Sequence, residues 1–429
     1  MEKVGSLLGL FGLVMFAWVI SIDRRSVRWR PVLWGVGLQL AFAAAVLLPD
    51  IGKDVFQVVD VAVKRLVSFS EMGSDFVFQS VQKHDITIYT QAGQPAILTV
   101  EGHISPPLKT LAFWVLPTVM FFSALMAVLY HYGVMQFIVR FFAVIMQKTL
   151  GTSGAESLSA AANIFVGQTE APLIVRPFVD KMTMSELHAV MVGGFATVAG
   201  GVMAIYVAIV PIPGIAGHLV TASILSAPAA LAVSKLMYPE TGQPATLGKV
   251  QIDVERLDVN GIDALSRGTL EGLRLFLNIV AMLLVFYAMV MLINAILGAV
   301  GGIFDIELSL EIILGYVFAP FALLMGIPWD EAITAGMLLG KKITLTELFA
   351  YLDFGQLQAS ANALSERSAI IMSYALCGFA NFASIGIQIG GIGGIAPERR
   401  GDLARLGLRA MIGGTLAAMM TGAVAGLFT

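Results

Sequence analysis

The sequence predicts an all-α polytopic membrane protein with eight transmembrane helices, two re-entrant helical hairpins, interfacial helices and an inverted-topology repeat. Of its 429 residues, 57% are hydrophobic and only 13% are charged, about half the charged fraction of a soluble chain. The net charge is −3, and Cys377 is the single cysteine. These values exclude a disordered chain, a coiled coil, a disulfide-stabilised scaffold and a nucleic-acid binder, which needs a basic face.

Eight apolar stretches are long enough to cross the hydrocarbon core, which takes about 20 helical residues. They are 4–22, 31–48, 111–132, 187–210, 218–237, 273–297, 369–389 and 406–428. Clustered arginines at 24, 25, 28 and 30 are typical of a cytoplasmic loop. We therefore expect the first loop to lie inside the cell and both termini to lie outside.

The segments between the spans are more polar. Residues 50–108 are expected outside, with an amphipathic surface helix at 52–69 and a small β-hairpin at 85–101, where apolar and polar residues alternate. Residues 239–267 and 397–402 are expected in the cytoplasm, since 397–402 again carries clustered arginine.

Two further stretches, 157–179 and 329–357, do not fit as spans. Each has two apolar halves of about ten residues, roughly half a bilayer at about 1.5 Å per residue, around a polar centre. Non-helical backbone at membrane depth survives only beside protein or a water-filled cavity, so we predict re-entrant hairpins. The first follows a cytoplasmic interfacial helix at 135–150, enters from inside and has its tip at 167–170. The second enters from outside, with its polar centre at 340–347.

The two hairpins belong to an internal repeat. Each carries Thr-Glu at its tip, ending at Glu170 and at Glu347, which are 177 positions apart (347 − 170). Each is followed by a helix broken at Gly-Phe-Ala, beginning at Gly194 and at Gly378. Because one copy enters from inside and the other from outside, the repeat is inverted, and such repeats place a transporter's substrate site near the midplane between them.

Three polar residues at the hairpin tips are candidates for ligand contact. A carboxylate at membrane depth is costly unless it faces a cavity or a partner. Glu170 and Glu347 are therefore expected to accept hydrogen bonds from ring N–H, amine or sugar hydroxyl groups. The alternative is that they pair with Lys181 or Lys342 purely for packing. Gln168 offers both a donor and an acceptor, suited to the edge of a base, or else caps a hairpin helix.

The helix breaks add neutral oxygens and one aromatic ring. Asn163 and Thr197, together with unwound backbone carbonyls, suit sodium, a hard cation that prefers oxygen ligands. Asn381 and Ser384 are three positions apart and share a face if the backbone there is helical. Phe379 is a candidate for stacking on a flat ring, or is packing alone. No Ser/His/Asp, HExxH or GxxxxGK[ST] pattern is present, which argues against an enzyme and against ATP hydrolysis.

At these residues the chain resembles the concentrative nucleoside transporters. The match is strongest at 163–201, which contains Gly-Gln-Thr-Glu-Ala-Pro, and at 377–386, Cys-Gly-Phe-Ala-Asn-Phe-Ala-Ser-Ile-Gly. It covers the chain well from Leu111 to the end, the first two spans weakly and residues 70–108 not at all. The resemblance implies a sodium-coupled nucleoside symporter with no cofactor beyond the coupling ion. It further implies alternating access by a homotrimer in a bacterial inner membrane.

The resemblance also implies roles for individual residues. Those expected to contact or line the base are Gly167, Gln168, Thr169, Glu170 and Val202. Those expected at the ribose are Glu347, Phe379, Asn381 and Ser384. Those expected to bind sodium are the side chains of Asn163 and Thr197 and the carbonyls of Val166 and Val198. The resemblance divides the chain into a scaffold, 1–134 and 239–325, and a mobile transport domain made of the repeats 135–238 and 326–429.

The second hairpin departs from the family pattern at two positions. Thr346 stands where the family has asparagine, and Phe349 where it has valine. Thr346 keeps a hydroxyl but lacks the amide, which bears on selectivity and on the coupling ion. Proton coupling, in which Glu170 or Glu347 titrates, therefore stays an alternative. A membrane-embedded enzyme is a remoter one.

Overall fold

The computed structural model describes residues 2–78, 85–89, 95–99, 110–248 and 258–429. These parts of the chain are helical apart from one pair of short strands. The order begins with α1 (Glu2–Val19), α2 (Trp29–Leu47) and α3 (Pro49–Phe78). The strands β1 (Asp85–Tyr89) and β2 (Pro95–Thr99) pair antiparallel.

The strands lie where the sequence predicts a hairpin at 85–101, and the residues that would join them lie outside the described part. Helix α3 is longer at both ends than the surface helix predicted at 52–69. It is held to a later helix at Asp60, which accepts hydrogen bonds from the first backbone amides of that helix, at Ala216 (3.2 Å) and Gly217 (3.4 Å).

The next elements include the predicted third span and the interfacial helix. A π-helical turn at Leu111–Val115 precedes α4 (Thr118–His131), with Pro117 at the junction, where its missing amide interrupts regular hydrogen bonding. Helix α5 (Val134–Leu150) matches the interfacial helix predicted at 135–150. It buries a single face at Met135, Val139, Ala143, Met146 and Leu150.

The predicted first repeat, 135–238, contains short helices followed by a broken one. Helix α6 (Gly154–Ala162) begins with a capping box between Ser153 and Glu156. The chain then turns into α7 (Ala171–Ile174) and α8 (Arg176–Val179). The second arm of the first hairpin is therefore two four-residue helices rather than the single half-helix expected. The reason is that Pro172 and Pro177 each fall at a helix start, where proline is tolerated.

The broken helix and the helix after it complete the first repeat. These are α9 (Met184–Ala196), α10 (Gly200–Ile209) and α11 (Ile215–Met237). In the most apolar 18-residue stretch of α11, 89% of the residues are buried inside the chain. It packs with α9 in the core.

The second half begins with the longest helix, α12 (Gly261–Ile303), of 43 residues. The side chain of Asn260 caps it by accepting hydrogen bonds from the amides of Ile262 (3.0 Å) and Asp263 (2.9 Å). The end of the loop predicted at 239–267 is therefore helical, while its residues 249–257 lie outside the described part. In the most apolar 18-residue stretch of α12, only 6% of the residues are buried, so this helix lies at the periphery.

The remaining helices are α13 (Leu310–Leu324), α14 (Trp329–Thr344), α15 (Glu347–Gln358), α16 (Glu366–Ala375), α17 (Phe382–Ile395) and α18 (Arg400–Phe428). All but α13 lie within the predicted second repeat, 326–429. Helix α18 packs against α9, α11 and α16. It begins within the loop predicted at 397–402, which is a 3-10 turn, Pro397–Arg399, followed by the first turn of α18.

The described residues contain six helical segments long and apolar enough to cross a membrane. The number is seven if α13 and α14, which meet at 117°, form one broken span. Two of the eight predicted spans, 4–22 and 369–389, correspond to shorter pieces, α1 and the separate helices α16 and α17. The chain is therefore a multi-pass helical membrane protein, as its composition predicts.

Candidate functional site

The two helix breaks of the repeat touch each other. At the first break Thr197 is extended, with φ −122° and ψ 168°. At the second break Gly378 has φ +154°, a region open to glycine. A Cβ there would lie 2.9 Å from the carbonyl oxygen of Phe195. The amide of Phe379 donates to the carbonyl of Thr197 (3.2 Å). The breaks are thus joined by a backbone hydrogen bond where regular helical bonding is lost.

The tip of the first hairpin lies against the first break. The amide of Gly200 donates to the carbonyl of Phe165 (3.2 Å). Between α6 and α7 the chain runs through turns, so residues 167–170 are non-helical, as predicted. Gly167 and Val166 are buried in it.

The second tip is tighter than the sequence predicts. Helix α14 continues to Thr344, so only Leu345 and Thr346 separate it from α15, although 340–347 was expected to be the polar centre. Glu347 is the first residue of α15, where the positive end of the helix dipole favours a carboxylate. Thr346 is the N-cap residue but makes no side-chain capping hydrogen bond.

The carboxylate of Glu347 is buried, with 4% of the residue exposed, and each of its oxygens has a partner. The hydroxyl of Tyr206 donates to Oε1 (2.9 Å), and Nδ2 of Asn381 donates to Oε2 (3.0 Å). Lys342, the packing partner considered from the sequence, instead donates to the carbonyl of Ala375 (2.9 Å) at the end of α16.

Hydrogen bonds continue from this carboxylate to the first hairpin. Oδ1 of Asn381 accepts from the amide of Ser384 (2.8 Å), so Asn381 caps α17 rather than sharing a helix face with Ser384 as expected. Nε2 of Gln168 donates to Oγ of Ser384 (3.1 Å). Nε2 of Gln388 donates to Oε1 of Gln168 (3.1 Å). We call this set, Tyr206, Glu347, Asn381, Ser384, Gln168 and Gln388, the polar network.

The polar network joins both hairpin tips and both broken helices, and all six of its side chains are buried. Gln168 therefore bonds to Ser384 and Gln388 instead of capping a hairpin helix, the alternative considered from the sequence.

Two members of the polar network were not predicted from the sequence. Tyr206 is the only residue of α10 with a polar side chain, and Gln388 is the only amide in α17. A lone polar residue in an apolar membrane helix is itself a signal of a functional site, and it could have identified both.

A second group of oxygens lies beside the first break. Asn163 is fully buried, and its Nδ2 donates to the carbonyl of Ser159 (3.0 Å). Its Oδ1 has no hydrogen-bond partner among the described residues. Oγ1 of Thr197 donates to the carbonyl of Gly193 (2.9 Å), and a Cβ on Gly193 would lie 3.2 Å from Nδ2 of Asn163. An unpaired buried amide oxygen fits a hard cation, which would supply the missing partner.

The other expected site residues lie around the polar network without joining it. Thr169 is partly buried, with its methyl group against Gly391, where a Cβ would lie 2.8 Å away. Glu170 is exposed, and its carboxylate lies over Gly167. Phe379 is partly buried, and Val202 is buried with 5% exposed.

Three family models match the chain. They are the Na+ dependent nucleoside transporter N-terminus at 8–81, the nucleoside recognition (Gate) model at 112–213 and the Na+ dependent nucleoside transporter C-terminus at 218–426. An uncharacterized transporter of Haemophilus influenzae is 42% identical over 100% of this chain and 98% of its own length. Sodium/nucleoside cotransporter 1 of Mus musculus is 37% identical over 99% of this chain and 64% of its own length.

Solved structures give the same similarity at the level of fold. CNTnw in an inward-facing, substrate-bound state has a TM-score of 0.88 and 40% identity, covering 100% of this chain and 98% of that one. A CNTnw variant in an outward-facing state has a TM-score of 0.89 and 39% identity, covering 100% and 99%. The two scores are nearly equal, so the similarity does not select one state.

Proposed function

The chain belongs to the Na+ dependent nucleoside transporter family, and on that premise we propose that it is a symporter that imports nucleosides with sodium by alternating access. It is a multi-pass membrane protein and a transporter rather than an enzyme. The single observation that carries the proposal is the polar network, which spans the two hairpin tips and is buried inside the chain.

The two ends of the polar network suit the two ends of a nucleoside. The Glu347 carboxylate has about four acceptor sites, of which Tyr206 and Asn381 use two. Two therefore stay available for donors such as the ribose hydroxyls. At the other end, Gln168 donates once to Ser384, which leaves its second N–H for the edge of a base.

We assign the remaining substrate contacts by position. Thr169 and Glu170 contact the base from the first tip, and Gly167 and Val202 line that part of the site. Phe379 lies beside the ribose. The carboxylate of Glu170 lies over Gly167, outside the polar network, so none of the hydrogen bonds of that network ties it down.

Sodium is assigned to the oxygens beside the first break. The ligands proposed are Oδ1 of Asn163, Oγ1 of Thr197 and the carbonyls of Val166 and Val198. Support comes from the unpaired Oδ1 of Asn163 and from the extended backbone at Thr197, which frees carbonyls from helical bonding. Sodium at this position would order the first tip, and Gln168 with it.

The proposed architecture has eight crossings, two re-entrant hairpins and both termini outside a bacterial inner membrane. The scaffold comprises 1–134 and 239–325, and the transport domain comprises 135–238 and 326–429. The peripheral, apolar α12 supports a homotrimer, because it offers a long surface to lipid and to further copies of the chain.

Uptake into proteoliposomes tests the function. Labelled uridine and adenosine are supplied with and without an inward sodium gradient at fixed pH, and then with an inward proton gradient without sodium. Protein-free liposomes and gradient-collapsing ionophores are the controls. We expect sodium-dependent accumulation of unchanged nucleoside. Accumulation driven by protons alone would replace sodium as the coupling ion. No uptake under either gradient would overturn the nucleoside assignment.

A further inference from the structure

We propose that Gln388 is a positioning residue that fixes the side-chain amide of Gln168 in one orientation, and so sets which hydrogen-bonding group Gln168 presents to the base. This inference rests on the proposed function. Gln388 lies on α17, four positions after Ser384, and is fully buried. Its Nε2 lies 3.1 Å from Oε1 of Gln168 and 3.1 Å from the backbone carbonyl of Met191.

The backbone carbonyl of Met191 determines which way both amides face. A carbonyl oxygen only accepts, so the Gln388 atom that faces it must be the nitrogen. That nitrogen carries a second N–H, which points to Gln168, so Gln168 must present its oxygen there. The nitrogen of Gln168 then faces Ser384, and one N–H stays free as a donor to the substrate.

Close packing keeps the two glutamines together. A Cβ at Gly194 would lie 2.8 Å from Nε2 of Gln388 and 2.9 Å from Cβ of Gln168. The two glutamines therefore meet only because Gly194 of α9 has no side chain to occupy the space between them.

Gln388 is a poor choice for stability alone. Its Oε1 is buried and has no hydrogen-bond partner among the described residues. A buried acceptor without a donor is destabilising, whereas an apolar side chain of the same shape avoids that loss. Its amide nitrogen, by contrast, has two acceptors that define a direction. The useful part of Gln388 is the donor that holds Gln168.

Two variants separate positioning from packing. In Gln388→Glu the nitrogen is replaced by oxygen, so the amide of Gln168 is expected to rotate and turn its nitrogen to the new carboxyl group. The site then offers the base an acceptor in place of a donor. In Gln388→Met the shape is kept without a donor, so Gln168 is free to adopt either orientation.

Uridine and cytidine report the orientation, because they exchange donor and acceptor at neighbouring edge positions: the exocyclic group is an acceptor in uridine and a donor in cytidine. We expect the ratio of their KM values to change by about fivefold in Gln388→Glu, the effect of one hydrogen bond. Gln388→Met should give an intermediate ratio, shifted by about twofold from wild type.

Gln39 provides the matched control. It is also a fully buried glutamine whose Nε2 donates to a backbone carbonyl, that of Leu225 (3.3 Å), and whose Oε1 has no partner among the described residues. Gln39→Met should leave the uridine-to-cytidine ratio unchanged.

Equal changes in both KM values, with their ratio unchanged in Gln388→Met and in any folded Gln388→Glu, would overturn the positioning role while leaving nucleoside transport intact. A change of the ratio in Gln39→Met would overturn it too. Failure of the wild-type protein to take up uridine, cytidine or adenosine would instead overturn the proposed function, and this inference with it.

Discussion

Replacing Glu347 with glutamine removes a charge while keeping the shape of the side chain. In the structure each carboxylate oxygen accepts one hydrogen bond, from Tyr206 (2.9 Å) and from Asn381 (3.0 Å). The new amide can keep both contacts, because its oxygen accepts from Asn381 and its nitrogen donates to the tyrosine hydroxyl, which also accepts. We therefore expect Glu347→Gln to insert and fold. Glu347→Ala, in contrast, would leave two buried donors without partners.

The substitution should therefore weaken substrate binding while leaving the fold intact. Hydrogen bonds to a charged group contribute about 1.5–3 kcal/mol and neutral ones about 0.5–1.5 kcal/mol, a difference of about 1–1.5 kcal/mol per bond. With two ribose hydroxyls on the free acceptor sites of Glu347, the variant should lose about 2–3 kcal/mol, or roughly 30- to 150-fold in affinity. Because 2′-deoxyuridine lacks one of the two hydroxyls, its affinity should fall by a smaller factor.

The assay is saturation uptake of labelled uridine into proteoliposomes, with the amount of folded protein measured by size-exclusion chromatography and thermal unfolding. Glu331→Gln is the matched control, because Glu331 also accepts two hydrogen bonds, both from Ser365 (2.7 and 2.9 Å), and lies in the first turn of α14, at the opposite end of that helix from Glu347. Its KM should equal that of wild type. A uridine KM within about threefold of wild type in Glu347→Gln would refute the ribose role, since threefold is less than one such bond contributes.

Three further predictions concern the sodium site, the second break and the start of α12. Asn163→Leu removes the unpaired amide oxygen, so the sodium concentration for half-maximal uptake should rise about tenfold, the effect of about 1.4 kcal/mol; an unchanged sodium dependence would remove Asn163 from the site. Gly378→Ala forces a Cβ into a conformation at φ +154° and should destabilise by about 1–3 kcal/mol in thermal unfolding, whereas Gly386→Ala, which meets open space, should not. Hydrogen bonds from Arg267 hold the pKa of the Asp258 carboxyl below its ordinary value. Asp258→Asn should therefore lower the melting temperature at neutral pH, and that difference should disappear as the pH falls through the lowered pKa; a difference independent of pH would contradict it.

The sequence predicts elements whose signals are local. The helix at 135–150 and the broken helix after Gly194 follow from apolar spacing and from small residues, and the structure has a helix and a broken helix at these places. Boundaries at polar junctions were less accurate. Helix α18 begins at Arg400, inside a predicted loop, because arginine is a good helix former and its charge says little about backbone conformation.

Contacts between segments that are distant in the chain could not be predicted from the spacing of residues in the sequence. The sequence places Asn381 and Ser384 together, but it does not reveal that Asn381 caps α17 and also donates to Glu347. The role of Tyr206 depends on how α10 meets α15, which is a tertiary property. Thr346 is the N-cap residue of α15 and makes no side-chain capping hydrogen bond, while each oxygen of the neighbouring Glu347 has a partner.

The geometry also bears on how sodium and substrate would influence each other. The first hairpin and break are joined to the second break by two separate routes. One is the backbone bond from Phe379 to the carbonyl of Thr197, and the other is the side-chain bond from Gln168 to Ser384. On the proposed assignment, sodium at Thr197 acts on the first route and a nucleoside at Gln168 acts on the second. Both ligands therefore stabilise the same arrangement of the two breaks. Coupling between ligands is reciprocal, and here it requires no transmission beyond directly bonded neighbours.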